Sequence, residues 1–234
     1  MKNLKILLTG ASQGIGAAIA RRLHKSGHSL ALVARSEDKL HSLNQELGGG
    51  HSVVRADLTE LSSLPALVDS VAEQLGGIDA LINNAGMGTH EPVGDGDPEK
   101  WHKLFHLNVL AVMELTREVV PYLKQSSNGA LVTLSSISGQ KAMKGLSAYC
   151  ASKHAVRGFT LSCFEDLRED GIKVSTICPG MVNTGLPPDE GTDRSLMIQP
   201  EDIAHTVDFV LNFPSTACPT EITIRPQRSP TREG

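Results

Sequence analysis

A tyrosine and a lysine stand four residues apart in a stretch with a helical pattern. Tyr149 and Lys153 are expected on one face of that helix, because four steps of about 100° nearly complete a turn. A free tyrosine has a pKa of about 10 and is a poor base at neutral pH. A neighbouring ammonium group favours the phenolate and should lower that pKa. The pair therefore predicts a general acid/base that exchanges a proton with a hydroxyl or carbonyl group.

Taken alone, Tyr-x-x-x-Lys has a plainer explanation, since surface helices often carry it. A second hydroxyl group favours the catalytic interpretation. Ser135-Ser136 closes the fifth predicted strand, ahead of Tyr149 in the chain. Because ligands of α/β sheets bind at the carboxyl ends of the strands, the Ser136 hydroxyl is expected where a ligand would bind.

Glycines follow the first predicted strand and open a helix, in the segment TGASQGIG at residues 9–16. Gly10 permits a tight turn, Gly14 lets the backbone approach a pyrophosphate, and Gly16 lets the helix pack closely. Free N–H groups at the helix start would face phosphate oxygens. The spacing is G-x-x-x-G-x-G, and glycines also mark plain turns. The strand before and the helix after favour a dinucleotide site.

The end of the second predicted strand bears on which dinucleotide is bound. An acid here would hold the ribose hydroxyls of NAD, but the position is occupied by Ala34. Arg35 follows, and its guanidinium can bind a 2′-phosphate through paired hydrogen bonds. The alternative is a solvent-exposed arginine, and Gln13 adds no second cation to the glycine turn. We predict that NADP(H) is preferred over NAD(H).

Strand and helix patterns alternate along the chain. The strands are predicted at Leu4–Thr9, His28–Ala34, Ser52–Arg55, Ile78–Ile82, Gly129–Leu134, Ile172–Ile177 and Glu221–Ile224. The helices are predicted at Ile15–Ser26, Glu37–Leu47, Leu61–Leu75, Pro98–Leu123, Ala148–Asp170 and Pro200–Asn212, with Pro121 stopping the fourth near its end. This order predicts a single α/β domain with a doubly wound, Rossmann-like parallel sheet of about seven strands and helices on both faces.

Composition agrees with one such domain. The chain has 234 residues, 40% of them hydrophobic and only 3% aromatic, which suits an aliphatic core around a buried parallel sheet. The formal net charge of −4 gives no nucleic-acid footprint, and no segment is long and apolar enough to span a bilayer. Met1–Leu8 is too short for the apolar region of a signal peptide, so we expect a cytoplasmic location.

Neither cysteines nor histidines predict a metal site. The four cysteines, Cys150, Cys163, Cys178 and Cys218, show no C-x-x-C spacing and are expected to be free thiols. His102 and His106 stand four apart without an obvious third ligand. We therefore expect no bound metal.

Two segments lie outside this regular pattern. Gly185–Gln199 is rich in Pro, Gly and Asp and is interpreted as a flap over the site at the edge of a domain covering residues 1–225. Residues 226–234 are interpreted as a solvated polar tail.

The motifs and their order resemble the short-chain dehydrogenase/reductase family over residues 9–184. The matching pieces are the turn at residues 9–16, Asp57, Asn83-Asn84-Ala85-Gly86, Asn108, Ser136, Tyr149-Cys-Ala-Ser-Lys153, Pro179-Gly180 and Thr184. The resemblance implies that Ser136 polarises the substrate oxygen and that Tyr149 transfers the proton. Lys153 would hold the nicotinamide ribose, and Asn108 would anchor a water in a proton relay.

The resemblance also implies cofactor contacts. Asp57 would meet the adenine, Asn84 would hold the central strands, and Thr184 would meet the nicotinamide carboxamide. The full set of expected contacts is Gly10, Ser12, Gln13, Gly14, Ile15, Gly16, Arg35, Asp57, Leu58, Asn84, Ala85, Gly86, Tyr149, Lys153, Pro179, Gly180, Val182 and Thr184.

The implied function is reversible hydride transfer between NADP(H) and a small carbonyl or secondary-alcohol substrate. A 3-oxoacyl-[acyl-carrier-protein] reductase is the alternative, with Arg117, Lys144 and Arg157 as candidate docking residues. A non-catalytic NADP-binding sensor is a more remote one. The ending at residues 221–226 departs from the family's V-D-G-G-like segment and favours the branch acting on small hydroxy acids and miscellaneous carbonyls.

The substrate would be chosen by Met87–Gly96, Gln140–Leu146 and the flap. A homodimer or homotetramer paired through Trp101–Leu123 and Tyr149–Asp170 is the family expectation.

Overall fold

Seven parallel strands form one sheet in the computed structural model, which describes residues 3–184 and 191–231. The strands are β1 Lys5–Thr9, β2 Ser29–Ala34, β3 Ser52–Arg55, β4 Ala80–Asn83, β5 Ala130–Leu134, β6 Lys173–Pro179 and β7 Glu221–Ile224. Their order is β3-β2-β1-β4-β5-β6-β7. The strand order reverses between β1 and β4, and such a switch point opens a crevice at the carboxyl edge of the sheet.

Helices cover both faces of the sheet. They are α1 Gly14–Lys25, α2 Glu37–Glu46, α3 Leu64–Leu75, α4 Pro98–Phe105, α5 Ala111–Gln125, α6 Ser147–Leu167 and α7 Pro200–Asn212. The apolar side chains of α1, α2 and α7 pack in one core, and those of α3, α5 and α6 pack in the other. The predicted Rossmann-like single domain is confirmed.

The predicted long helix Pro98–Leu123 is interrupted. A π-helical turn, His106–Leu110, separates α4 from α5. The prediction that Pro121 stops the helix was wrong, since α5 continues to Gln125. An interior proline costs about 3 kcal/mol. Full burial of Leu123 beyond it contributes about 1.5–3 kcal/mol, so packing on the sheet offsets much or all of this cost.

Smaller differences concern the element ends. The third helix begins at Leu64 behind a short 3-10 turn, with a proline in its first turn. Helix α6 ends at Leu167, and its last predicted turn is a 3-10 turn at Arg168–Asp170. Strand β6 extends to Pro179, because its last residues pair with β7.

Part of the predicted flap, residues 185–190, lies outside the described residues. The remainder pairs with other segments, since Val182 bridges Ile198 and Thr192 bridges Thr231. The N–H of Asp193 donates to the carbonyl of Pro230 at 2.7 Å. The segment 226–231 was expected to be a solvated tail. Its side chains are mostly exposed, but these contacts attach it beside the flap.

Two further sequence expectations concern thiols and membrane spans. All four cysteines are free thiols, as predicted. Within the described ranges, every helix is too short or too polar to cross a membrane.

Candidate active site

The glycine turn after β1 is closely packed against the loop after β4. Gly10 has a φ of +67°, and a side chain there would meet Asn84 Nδ2 at 2.8 Å and Ala85 Cα at 2.9 Å. A side chain on Gly16 would collide with the Gly10 carbonyl oxygen. Both glycines are therefore required by close approach of backbone segments.

Asn84 holds the two central strands together at this point. Its Nδ2 donates to the carbonyl of Thr9 at 2.8 Å and to that of Gly10 at 3.2 Å. In return, Thr9 Oγ1 accepts from the N–H groups of Asn84 and Ala85, each at 3.0 Å. The family resemblance had implied this role for Asn84. It missed the hydroxyl of Thr9, although Thr9 stands in the matched motif.

Helix α1 starts on the glycine turn without a side-chain cap. Gln13 is its N-cap residue, in extended conformation, and makes no side-chain capping hydrogen bond. Instead, Gln13 Oε1 accepts from Lys39 Nζ at 2.8 Å. The N–H groups of the first turn, near Ser12 and Ile15, suit an anion. No second cation was predicted at this turn, but the ammonium group of Lys39, on α2, lies beside it.

Two arginines face one cavity at the ends of β2 and β3. Ala34 pairs with Arg55 in the sheet, and a cavity of about 220 Å³ is lined by Arg35, Arg55, Ala56 and Asp57. Leu58 follows Asp57 and is buried. Arg55 was not among the cofactor contacts predicted from the sequence. Its position at the end of the third strand, which must pair with the second, is the signal that could have revealed it.

Asp57 is held as a carboxylate in this cavity. Its Oδ1 accepts from the N–H of Thr59 at 3.0 Å and from Thr59 Oγ1 at 2.8 Å. The backbone hydrogen bond from Thr59, with a smaller contribution from the Arg35 charge, lowers the pKa of Asp57. Two cations and one anion therefore leave the cavity with a net positive charge, which suits a phosphate.

Ser136 and Tyr149 meet at the carboxyl end of β5, as predicted. The Ser136 hydroxyl donates to the carbonyl of Pro179 at 3.4 Å and accepts from the N–H of Ser138 at 3.1 Å. It also lies close enough to the Tyr149 phenol to influence its pKa. Burial raises the pKa of the Tyr149 phenol, and the bond to Ser136 only partly opposes this rise. We expected Lys153 to lower that pKa. The effect is opposite because burial disfavours the phenolate more strongly.

Lys153 is buried behind the tyrosine. Its Nζ donates to the carbonyl of Leu134 at 2.8 Å and lies 5.8 Å from the centre of the Tyr149 ring. Burial lowers the pKa of Lys153 to about 8. The ammonium group of Lys153 therefore begins to lose its proton only slightly above neutral pH.

Asn108 lies inside the π-helical turn and is buried. Its Oδ1 accepts from the N–H of Met87 at 2.9 Å, and its Nδ2 donates to the carbonyl of Met87 at 2.8 Å and to Ser152 Oγ at 3.2 Å. Ser152 Oγ in turn donates to the carbonyl of Tyr149 at 2.8 Å. Ser152 was missed, although it stands between Tyr149 and Lys153 in the matched motif. π turns inside α-helices often mark functional sites.

Gly86 has no side chain, so the space between Asn108 and Lys153 stays open. A side chain on Gly86 would lie 3.2 Å from Asn108 Oδ1 and 3.6 Å from Lys153 Nζ. A ligand atom approaching Lys153 therefore meets no side chain at this position.

The segment after β6 returns to the glycine turn. The N–H of Gly180 donates to the carbonyl of Ile224 at 2.8 Å, and Val182 pairs with Ile198. A side chain on Gly14 would lie 3.6 Å from Thr184 Cβ. The predicted residues therefore converge at one edge of the sheet, with Arg35, Asp57 and Leu58 at its far end.

Comparison with known proteins agrees with this geometry. The sequence profile described as short chain dehydrogenase matches residues 4–195. An uncharacterized oxidoreductase of Staphylococcus epidermidis is 35% identical over 97% of this chain and 98% of its own length. One of Staphylococcus aureus is 32% identical over 94% and 96%.

Two solved structures share the fold. An alcohol dehydrogenase from the archaeon Thermococcus sibiricus, complexed with 5-hydroxy-NADP, has a TM-score of 0.86 at 27% identity and covers 97% of each chain. A blue fluorescent protein from a metagenomic library, in complex with NADPH, has a TM-score of 0.87 at 27% identity, covering 96% of this chain and 97% of its own. The chain belongs to the short-chain dehydrogenase family and is an oxidoreductase.

Proposed function

We propose that this chain is an NADP(H)-dependent reductase that interconverts a carbonyl compound and its secondary alcohol, with Tyr149 as general acid/base. The observation that carries the proposal is the closeness of Ser136 to the Tyr149 phenol at the carboxyl end of β5, with Lys153 behind it. The hydroxyl groups stand at the carboxyl edge of the sheet, where the glycine turn opens.

In the reducing direction, Tyr149 acts as the proton donor. Its raised pKa keeps the phenol protonated at neutral pH. Ser136 donates a hydrogen bond to the carbonyl oxygen, and Tyr149 transfers its proton to the same oxygen. A bound nicotinamide would supply the hydride that adds to the carbonyl carbon. Lys153 would hold the adjacent ribose hydroxyls, and Asn108 would anchor a water through which the tyrosine is reprotonated.

The residues present fit a phosphorylated dinucleotide. The uncapped start of α1 and the adjacent Lys39 suit the pyrophosphate. Arg35 and Arg55 line one cavity and suit a 2′-phosphate, and Ala34 presents no competing acid. The NADP-type molecules in the two similar structures support the same choice.

The acyl-carrier-protein alternative loses two of its three candidate docking residues. Arg117 pairs with Glu114 at 2.8 Å and with Glu118 at 2.5 Å. Arg157 pairs with Glu221 at 2.5 Å. Internal carboxylates thus already neutralise these two cations, which leaves Lys144 to attract an acidic partner.

Assembly into a homodimer or homotetramer through the helices α4, α5 and α6 remains our proposal. Leu110 and Met113 are exposed apolar residues near the start of α5. They lie next to the small core formed by Val109, Val112 and Val156, which joins α5 to α6. An apolar patch on these helices supports pairing of two copies.

The function is tested by measuring NADPH oxidation with a panel of carbonyl compounds, together with cofactor binding. Tyr149→Phe should retain NADPH binding and lose turnover by at least about a hundredfold, the usual contribution of a general acid. Turnover unchanged in this variant would contradict the mechanism. Binding of NADPH without turnover of any carbonyl by the parent protein would favour the sensor alternative.

A further inference from the structure

Three exposed methionines lie in the loops at the carboxyl edge of the sheet, where Ser136 and Tyr149 stand. Met87, Met143 and Met181 are 36%, 38% and 37% exposed. They come from the three segments that follow β4, β5 and β6. Exposed large apolar side chains gathered around a site indicate that the site receives an apolar ligand.

Two of the methionines are attached directly to groups of the candidate active site. Both backbone polar atoms of Met87 are bonded to the Asn108 side chain. The sulfur of Met143 accepts a hydrogen bond from Ser138 Oγ at 3.1 Å, and the N–H of Ser138 donates to Ser136 Oγ. The Met87 backbone and the Met143 side chain are therefore held beside Asn108 and Ser138.

The third methionine is fixed by the strand that precedes it. Met181 follows Pro179-Gly180, and the Pro179 carbonyl lies 3.4 Å from Ser136 Oγ. The carbonyl of Met181 accepts from the N–H of Ile198 at 3.0 Å. Met181 thus stands on the opposite side of Ser136 from β4.

The loops that carry Met87 and Met143 are joined to each other. The N–H of Glu91 donates to the carbonyl of Gly145 at 2.8 Å. A side chain on Gly88 would lie 4.0 Å from the Tyr149 ring, so the first loop passes beside the tyrosine. The two methionines consequently belong to one continuous rim.

Among residues 3–184 and 191–231, the nearby charges do not form a built anion site. Glu91 is paired with Lys100 at 2.6 Å. Lys141 and Lys144 lie in the same loop as Met143, but both are exposed to solvent. A carboxylate substrate would thus gain little from them, since exposed ion pairs contribute about 0–1 kcal/mol.

We propose that Met87, Met143 and Met181 form the substrate-binding rim and select apolar ketones and aldehydes of varied shape. This inference rests on the proposed function, and it names the substrate class for the same site. Methionine side chains are unbranched and polarisable, so they adapt to ligands of different outline. The enzyme therefore accepts a range of apolar carbonyl compounds and discriminates against carboxylates of similar length.

The test measures kcat/KM for NADPH oxidation with methyl ketones of four to eight carbons and with oxo-carboxylates of matched length. Each added CH2 group should raise kcat/KM about two- to fourfold until the cleft is filled, from about 0.8 kcal/mol per buried CH2. The carboxylates should show no such rise. Met143→Gln and Met87→Gln should flatten the gradient, whereas Met143→Leu should keep it.

Phe209→Gln is the control, because Phe209 is 52% exposed on α7 and takes no part in the site or pairing contacts described above. This variant should keep the full gradient, with its oligomeric state checked by sedimentation. Turnover of ketones without a gradient, or a preference for the carboxylates, would overturn the inference and leave the proposed function intact. If the parent protein oxidises NADPH with no member of either series, the proposed function fails, and the inference fails with it.

Discussion

Arg157 and Glu221 join helix α6 to the edge strand β7, with Nε and Oε2 2.5 Å apart. The other carboxylate oxygen accepts from Gln140 Nε2 at 2.8 Å, and the same amide donates to Thr223 at 2.7 Å. Gln140 opens the loop that contains Met143. One carboxylate therefore connects helix α6, the loop that contains Met143 and the edge of the sheet.

Glu221→Gln should destabilise the protein at neutral pH by about 1 kcal/mol, the size expected for a partly exposed ion pair with additional hydrogen bonds. The hydrogen bond from Arg157 lowers the pKa of Glu221. A lowered pKa in the folded state gives stability above the unfolded pKa of about 4.3, lost as the pH falls through the folded pKa. Urea unfolding should therefore give a larger free energy of unfolding for the wild type than for Glu221→Gln at pH 7, and this difference should vanish below about pH 4. Glu169→Gln, in an exposed pair, is the control and should show no such difference.

Lys153→Met should abolish turnover yet stabilise the fold at pH 7 by about 1–3 kcal/mol, because a buried ammonium group is costly. Burial lowers the pKa of Lys153 to about 8. The native protein then releases a proton that the unfolded chain keeps until about pH 10.4, so wild-type stability rises between these values. The difference in unfolding free energy between the two proteins should shrink from pH 8 to pH 10. A constant difference would show that the pKa of Lys153 is the same in the folded and unfolded states.

Arg35→Ala and Arg55→Ala should each weaken NADPH binding by about ten- to a hundredfold and leave NADH binding unchanged. A charge-assisted hydrogen bond contributes about 1.5–3 kcal/mol, and only NADPH carries the 2′-phosphate. Isothermal titration with both cofactors measures the effect. Arg168→Ala, on an exposed surface, serves as the control. Equal losses for both cofactors would place the arginines on another part of the dinucleotide.

Gly16→Ala should destabilise the protein by about 2 kcal/mol or more and abolish cofactor binding, because overpacked backbone contacts must move. The added carbon would strike the Gly10 carbonyl. Gly158→Ala is the matched helical control, since nothing lies within 4 Å of the added atom. It should stabilise α6 by about 0.5–1 kcal/mol. Thermal unfolding with and without NADPH distinguishes the two, and similar shifts for both would contradict the close-packing argument.

The sequence predicted the sheet well, because the buried strands are short apolar runs bounded by glycines and polar residues. It also placed Ser136 at the carboxyl edge, and the family resemblance placed Ser136 and Tyr149 in one site. Arg55 and Lys39 were missed because their roles depend on which elements become neighbours. The shift in the Tyr149 pKa was predicted with the wrong sign, as burial depends on the packed structure and not on spacing.

The π-helical turn at His106–Leu110 makes the geometry of the candidate active site depend on the number of residues in this helix. A π turn contains one residue more than the α-helical turn it replaces. Deleting a residue here would allow one uninterrupted helix from Pro98 to Gln125. The Asn108 amide would then rotate by about 100° and leave Met87 without its partner. Inserting one residue into an uninterrupted helix would suffice to create this geometry. An insertion or deletion at this position therefore changes the site as much as a substitution does.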